Sequence, residues 1–555
     1  MNFTRKAILI SWIWLFIAGC GSTGSKDTSE KNWWPEILSQ RDSVQVYLPD
    51  FSFAGYHWGE QELPVLNGTM AVSEFGAIPD DDIDDTEALK KAFSAANTYD
   101  GPVVLKLDRG KYILSDILYI DRSNFVLQGA GSETDGTIIY MPQPLNKLKT
   151  PADLNELEEY LNVNNKRQRE PDRGIDERFS LYAWSGGFIW TRRSGERAKP
   201  YMSKYHIAPK ELAVIVSGKR GQHVIEVEDA TKLKTGEIVC INWYNREGEN
   251  SSLIRHLYDN QPVNVGSRHW ESPEMPLIKQ EVTISSIRGN LVTIKEKLMH
   301  DLKPEWFPNL TEWNYISEVG IEHIRFEFPY TEYYAHHLEA GYNAIYMTNT
   351  AHSWVRDVSI HNGDSGFISD ICANVTVEDV VITGRTYHYA VQFGDCYDML
   401  AKRIKVDCHV LHSLSFNTGA RNCVFTDCIV TTMPSLDQHS GANHQNLFDN
   451  IKITENDPDR TFFYMGGDGY WAPTHGAFST FWNIQVDFNY PQPAELPIPV
   501  KGVTNGPSAR LVGITANYPM KITYGPGCYA EGINQPGISV SSLYEYQLKK
   551  RLSGF

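Results

Sequence analysis

The segment Val319–Phe326 reads V-G-I-E-H-I-R-F, and its outline returns five times. It reappears as S-W-V-R-D-V-S-I from Ser353, V-T-V-E-D-V-V-I from Val375 and M-L-A-K-R-I-K-V from Met399. Two more copies follow, C-V-F-T-D-C-I-V from Cys423 and N-L-F-D-N-I-K-I from Asn446. Apolar residues hold positions 3, 6 and 8, and usually 1, which is the alternation of strands rather than helices. The sixth positions are Ile324, Val358, Val380, Ile404, Cys428 and Ile451, so the central steps are 22, 24, 24 and 23 residues. Weaker matches follow around Ile484 and Ile514. A period of this size marks a solenoid whose turns bury their apolar faces only by stacking. The expected fold is all-β, a right-handed parallel β-helix, in which residues one coil apart lie about 4.8 Å apart.

The expected organisation places a signal peptide over 1–19, a polar tether over 20–43, and an N-terminal cap with the first coils over 44–142. A charged irregular insertion follows over 143–212, then an inserted β-rich domain over 213–305. The main β-helix spans 306–523, and a C-terminal cap and tail 524–555. Arg5 and Lys6 precede a short apolar run that is too short to span a bilayer. Asp84, Asp85 and Thr86 are set to cap a helix with Leu89, Phe93 and Ala96 as its apolar stripe. The aromatic-rich stretch Val44–Glu60 is expected to cross one open end of the solenoid, and the segment from Tyr524 to close the other. The seven cysteines after Cys20 form no CxxC and read as small buried residues. A net charge of −17 argues against a nucleic-acid partner and requires any anionic substrate to meet a local cationic site. No feature calls for more than a monomer.

Aligning the coils by their sixth positions exposes two ladders. Sixteen residues before each anchor stand Tyr342, Asp364, His388 and His412; nineteen before stand Glu339, His361, Arg385 and His409. His388 should stack on His412 and Arg385 on His409, with His439 close by in the next coil. Asn374, Asp398, Asn422 and Gln445, six before their anchors, read as a structural turn ladder. Titratable groups gathered on one strip of a rigid scaffold suit acid–base catalysis.

Several stretches resemble known families. Ile17-Ala18-Gly19-Cys20 is similar to a bacterial lipobox, which implies an exported protein lipid-anchored to the outer membrane through Cys20. The Phe75-Gly76-Ala77 turn, the Asp-Asp-Thr cap, Arg109-Gly110-Lys111-Tyr112 and Gly129-Ala130-Gly131 resemble the amino-terminal part of the pectate-lyase superfamily. The resemblance covers Val72–Pro142 and Val319–Ala516 and extends to right-handed β-helix polysaccharide lyases and hydrolases. Arg403-Ile404-Lys405 matches a polygalacturonase tripeptide, but that family's paired-aspartate and Gly-His-Gly motifs are absent from this sequence.

Two mechanisms compete. A lyase acting on a uronic-acid polysaccharide of ulvan, alginate, pectin or glycosaminoglycan type needs a carboxylate neutraliser, a base and an acid. Arg385 is the candidate neutraliser, His412 or His388 the base, and Tyr387, Tyr389 or His439 the acid. Candidate substrate-binding residues are His409, Gln392, Asn417, Asn443, His444, Tyr346, Tyr470 and Trp471. With no carboxylate cage for calcium, a route without metal or other cofactor is expected. A glycoside hydrolase would instead draw on Asp364, Asp370, Asp395 and Asp437. A zinc site of His388, His412 and His439 is a third arrangement. A glycan-binding protein using Tyr333, Tyr334, Tyr464, Tyr470 and Trp471 is a fourth.

Overall fold

The computed structural model describes residues 32–39, 46–168, 178–199, 202–467, 469–491 and 495–554. The signal-like segment and Cys20 lie outside the described residues. Among those described, twenty-six strands join in one continuous sheet that winds as a right-handed parallel β-helix. The register follows the sequence repeat. Ile324 pairs with Val358 and Val358 with Val380. Val381–Lys405, Lys405–Ile429, Ile429–Lys452, Lys452–Gln485 and Gln485–Thr515 carry the same step through Ile404, Cys428, Ile451, Ile484 and Ile514. All of these anchors are buried.

Corners explain why the period holds. The residue before each anchor adopts left-handed backbone: His323, Asp357, Asp379, Arg403, Asp427, Asn450 and Asn483 all have φ between 50° and 60°. Asn and Asp tolerate that region best among residues with a Cβ, because their short side chains bond locally. A second corner repeats at Asn374, Asp398, Asn422 and Gln445, with φ of 53°, 49°, 54° and 53°. Asn422 Nδ2 donates to Asp398 Oδ1 at 2.6 Å, and Asn374 Nδ2 to the Phe53 carbonyl at 2.8 Å. The core between corners is filled by stacked side chains, including Phe393, Phe425, Phe448 and Phe481. Helix Thr86–Thr98 covers the first coils with Leu89, Ala92, Phe93 and Ala96 buried.

The chain termini depart from expectation. The stretch around Phe51 and Ala54 lies along a flank of the solenoid, on Leu400, Val424, Leu447, Trp482 and Val512. Helix Leu543–Ser553 shares that flank through Leu543 and Tyr544, and Tyr544 Oη donates to the Ala54 carbonyl at 3.0 Å. The outward residues of successive coils form an apolar stripe there, and burying it outweighs closing an end. The charged 143–212 stretch also holds more order than expected. Helix Asn155–Gln168 lies in it, and strand Ile189–Thr191 is a true rung, paired with Leu118–Ile120 and with Ile345–Met347.

Six antiparallel strands between Glu211 and Glu312 close a small barrel around Ile241, Trp243, Val282 and Leu310. The barrel docks on the solenoid by polar contacts and by an apolar patch of Met299 on Ala373 and Tyr397. Arg421 Nη2 meets Glu281 at 2.5 Å, Gln280 Nε2 donates to Tyr397 Oη at 2.8 Å, and His300 Nε2 lies 2.9 Å from His444 Nε2. Replacing Ile404 by Ala removes packing shared by three coils and should cost about 2–5 kcal/mol in denaturant unfolding. A loss below about 0.5 kcal/mol would show that the anchor ladder does not bear on stability.

Candidate active site

A cleft of about 1120 Å³ opens where the barrel and the residues around Trp184, Arg197 and His206 face the solenoid. Its floor carries Tyr389, Gln392, His412, Asn417 and His439, and its walls include His336, His337, Tyr464, Tyr470 and Trp471. The floor residues come from strands Tyr387–Gly394, Val410–Asn417 and Leu436–His439, which pair rung on rung.

The rung pairs differ by one from the ladder read in the sequence. Tyr389, not His388, stands opposite His412, while Asn417 faces His439 and Ser415 faces Asp437. Between the Gly394–Asn417 and Tyr397–Arg421 pairings the later coil holds one extra residue, taken up in the turn at Gly419 (φ 76°). The anchors count 24 residues across that coil, but its cleft side counts 23. The rings still gather. Tyr389 stacks on His388 at 4.2 Å and on His412 at 4.8 Å between centroids.

Behind this layer lie two buried carboxylates. Asp437 Oδ2 is 3.0 Å from His412 Nδ1 and 3.6 Å from His439 Nδ1, and it accepts from Ser415 Oγ at 2.6 Å. Glu339 Oε1 is 3.1 Å from His388 Nδ1 and accepts from Tyr333 Oη at 2.5 Å. Burial lowers His412 from its ordinary 6.5 to about 4 despite Asp437, so the imidazole is neutral near neutral pH. For Asp437, burial pushes the carboxyl up, but His412 and His439 outweigh it and hold it below the carboxylate range. Burial, then the charges of Asp437 and Glu339, drives Tyr389 well above 10, and Asn417 Nδ2 donates to its Oη at 3.0 Å. Buried atoms without a well-aligned partner concentrate here: Glu339 Oε2, His388 Nδ1, His412 Nδ1, Asp437 Oδ1 and His439 Nδ1. Each such atom calls for an explanation, and a catalytic role or a bound ion is one. Strand Phe463–Gly466 approaches so closely that a Cβ on Gly466 would sit 2.0 Å from His439 Nδ1.

Other expected residues are placed elsewhere. Arg385 does not line the cleft: its guanidinium is sealed against Asp364 at 2.6 Å and donates to the Asn362 and Thr386 carbonyls. Asp364 is equally committed, accepting from the Gly341 and Tyr342 amides. Tyr387 is fully buried and donates to the Ile360 and Thr383 carbonyls, so it protonates nothing in the cleft. His409 sits outside the cleft beside Thr386, not under Arg385. His444 is buried at the barrel junction, and Asn443 ties the Ser440 and Thr474 carbonyls. Tyr346 is buried beneath the cleft with its Oη on Asp370 at 2.8 Å. His388 is wholly buried and lies behind the cleft, against the rings of His336, His337, Tyr389 and His412.

Three contributors escaped the sequence reading. His336 and His337 arrive on the insertion Pro329–Gly341, and Lys199 arrives from the charged segment to pair with Asp370. The adjacent histidines in that insertion were the available signal; nothing local marks Lys199. Two aspartates that line the cleft are held by cations: Asp395 pairs with Lys279 and Arg421, and Asp370 with Lys199. Burial, against Lys199, pushes Asp370 up to about 6.

No protein-family model matches the chain, and no curated protein matches it. Solved structures share its general outline. The tailspike protein gp49 from Pseudomonas phage LKA1 is 12% identical, covering 83% of this chain and 77% of that one, with a TM-score of 0.43. The gp54 tailspike of Acinetobacter baumannii bacteriophage AP22, solved with a capsular saccharide, is 11% identical over 83% of this chain, with a TM-score of 0.45. The match spans 65% of that tailspike, just under two thirds of its length. A family 28 exopolygalacturonase of Yersinia enterocolitica is 11% identical over 84% of this chain and 78% of its own, with a TM-score of 0.33.

The sealed Arg385–Asp364 pair changes what mutation there should do. Arg385→Ala strands a buried carboxylate and should destabilise the fold by about 3–5 kcal/mol in chemical denaturation. A variant of unchanged stability would return Arg385 to the list of substrate-contacting candidates.

Proposed function

We propose that this chain cleaves an acidic, uronic-acid-containing polysaccharide by β-elimination in the barrel-roofed cleft. The observation that carries this reading is the side-by-side placement of an oriented neutral imidazole and a phenol. His412 has its Nδ1 against Asp437, and the Tyr389 ring lies on it. His412 would take the proton from carbon 5 of the uronate. The freed electron pair forms the carbon 4–carbon 5 double bond while the carbon 4–oxygen bond breaks, and Tyr389 Oη gives its proton to the leaving oxygen. Asp437 stabilises the imidazolium that forms, as a buried acceptor behind a general base should. His439, Gln392 and Asn417 border the same floor, and Tyr470 and Trp471 offer ring faces for sugar stacking.

A glycoside hydrolase is the second reading, favoured by one observation, the Asp370 carboxyl at about 6 inside the cleft. General acids of that kind serve glycosidases. Against it, Asp370 and Asp395 are each held by a cation.

Incubation with a panel of uronic-acid polysaccharides, followed by ultraviolet absorbance and by reducing-end assay, separates the readings. Elimination yields both signals. His412→Ala should lower the rate about 10²–10⁴-fold with the fold retained. Because the base must be deprotonated, kcat/KM should hold through neutral pH and fall as the pH drops through about 4. Reducing ends without absorbance would establish hydrolysis, and binding without either signal would make the protein a glycan-binding module.

We also propose export and anchoring through a lipid on Cys20. Metabolic labelling with a palmitate analogue should mark the wild-type chain and not Cys20→Ser; equal labelling of both would refute the anchor.

A further inference from the structure

The cleft wall holds a cluster of imidazoles that the acid–base reading leaves unused. One ring nitrogen from each of His336, His337 and His388 lies within 4.8 Å of the other two. His336 Nε2 is 3.1 Å from His388 Nε2 and 3.5 Å from His412 Nε2. We propose that His336, His337 and His388 bind a divalent transition-metal ion of the zinc type. The assignment goes beyond the elimination reading and stands without it.

Three features support the site. The first is spacing: two nitrogens sharing a tetrahedral zinc at about 2.0–2.1 Å are about 3.3 Å apart, and the His336–His388 pair is already near that value. The second is support from behind. Glu339 meets His388 Nδ1 at 3.1 Å and is itself held by Tyr333 Oη and the His337 amide. A carboxylate on the far nitrogen fixes the ring's tautomer and turns the Nε2 lone pair toward the ion, as in carboxylate–histidine–zinc arrangements. The third is electronic. With the proton of His388 drawn to Nδ1 by Glu339, its Nε2 lone pair faces His336 Nε2, and a divalent ion can replace the single proton that those two nitrogens share.

The other imidazole group, His412 and His439, turns both Nδ1 atoms onto Asp437 and suits proton transfer better. A carboxylate cage would suit calcium, whereas this imidazole set selects a softer ion. His336 and His337 line the cleft, so the ion's fourth position would face bound ligand. The metal would also add positive charge where two lysines of the cleft are already taken. Lys199 and Lys279 are held by Asp370 and Asp395. The ion would supply positive charge for a substrate carboxylate, next to His412.

The test uses the full folded chain, stripped with a chelator and reloaded with Zn²⁺ or Co²⁺, with metal content and the Co²⁺ visible spectrum as readouts. Wild type should hold one ion per chain with a tetrahedral Co²⁺ spectrum. His336→Ala and His388→Ala should lose it, Glu339→Gln should weaken it about 10–100-fold, and His412→Ala should keep it. Circular dichroism checks each fold, and the partly exposed His336 decides the matter if His388→Ala does not fold. A wild type that takes up no metal at micromolar zinc would overturn the proposal. So would histidine variants that bind like wild type, or loss of the ion in His412→Ala. These readouts need no substrate, so bound metal without an unsaturated product would count against elimination while upholding the site.

Discussion

Parallel backbone hydrogen bonding from coil to coil is the constraint on which everything else in this molecule depends. Each rung offers its amides and carbonyls to the rung above and below, so no coil satisfies its backbone alone. The anchors Ile324 to Ile514 lock this register by burying one apolar side chain per coil in line. The left-handed corners before each anchor let the chain turn without breaking it. Side chains dozens of residues apart therefore stand in fixed stacks, and a catalytic strip can be built from consecutive rungs without flexible loops.

On that scaffold the chemistry arises from layers. Buried carboxylates Glu339 and Asp437 form the back layer, and imidazoles and a phenol lie in front of them. The barrel and two insertions make the walls. In the proposed elimination, burial would keep His412 neutral and able to accept a proton and would leave Tyr389 one to donate. The wall cations Lys199 and Lys279 are matched with carboxylates, while Arg268 lies over the Trp471 ring on the same cleft. A metal ion in the histidine cluster would add positive charge beside the acid–base strip.

The repeat made the fold legible in the sequence, because one apolar anchor per coil is a local signal with a long-range consequence. The turn ladder at Asn374, Asp398 and Asn422 was legible for the same reason. The site was legible in part. His388, Tyr389, His412 and His439 do gather, yet the anchor count placed His388 opposite His412 where Tyr389 stands. A single extra turn residue near Gly419 shifts one side of a coil against the other, and anchor spacing cannot sense that. Arg385 and Tyr387 misled because strand position does not say whether a polar side chain faces the groove or a neighbouring carbonyl. His336, His337 and Lys199 were missed because insertions follow no period. The terminal segments were assigned to the ends because the outward apolar stripe of Leu400, Val424, Leu447 and Trp482 shows only after the coils are stacked.

Coil register assembles one groove from Tyr389, His412 and His439 with the His336–His337 loop. A crystal structure of the protein with a bound uronic oligosaccharide tests it most directly. A sugar ring should lie over the Tyr389–His412 pair, with carbon 5 toward His412 Nε2 and the carboxylate toward His336. Oligosaccharide bound on another face of the solenoid, with this groove empty, would contradict it.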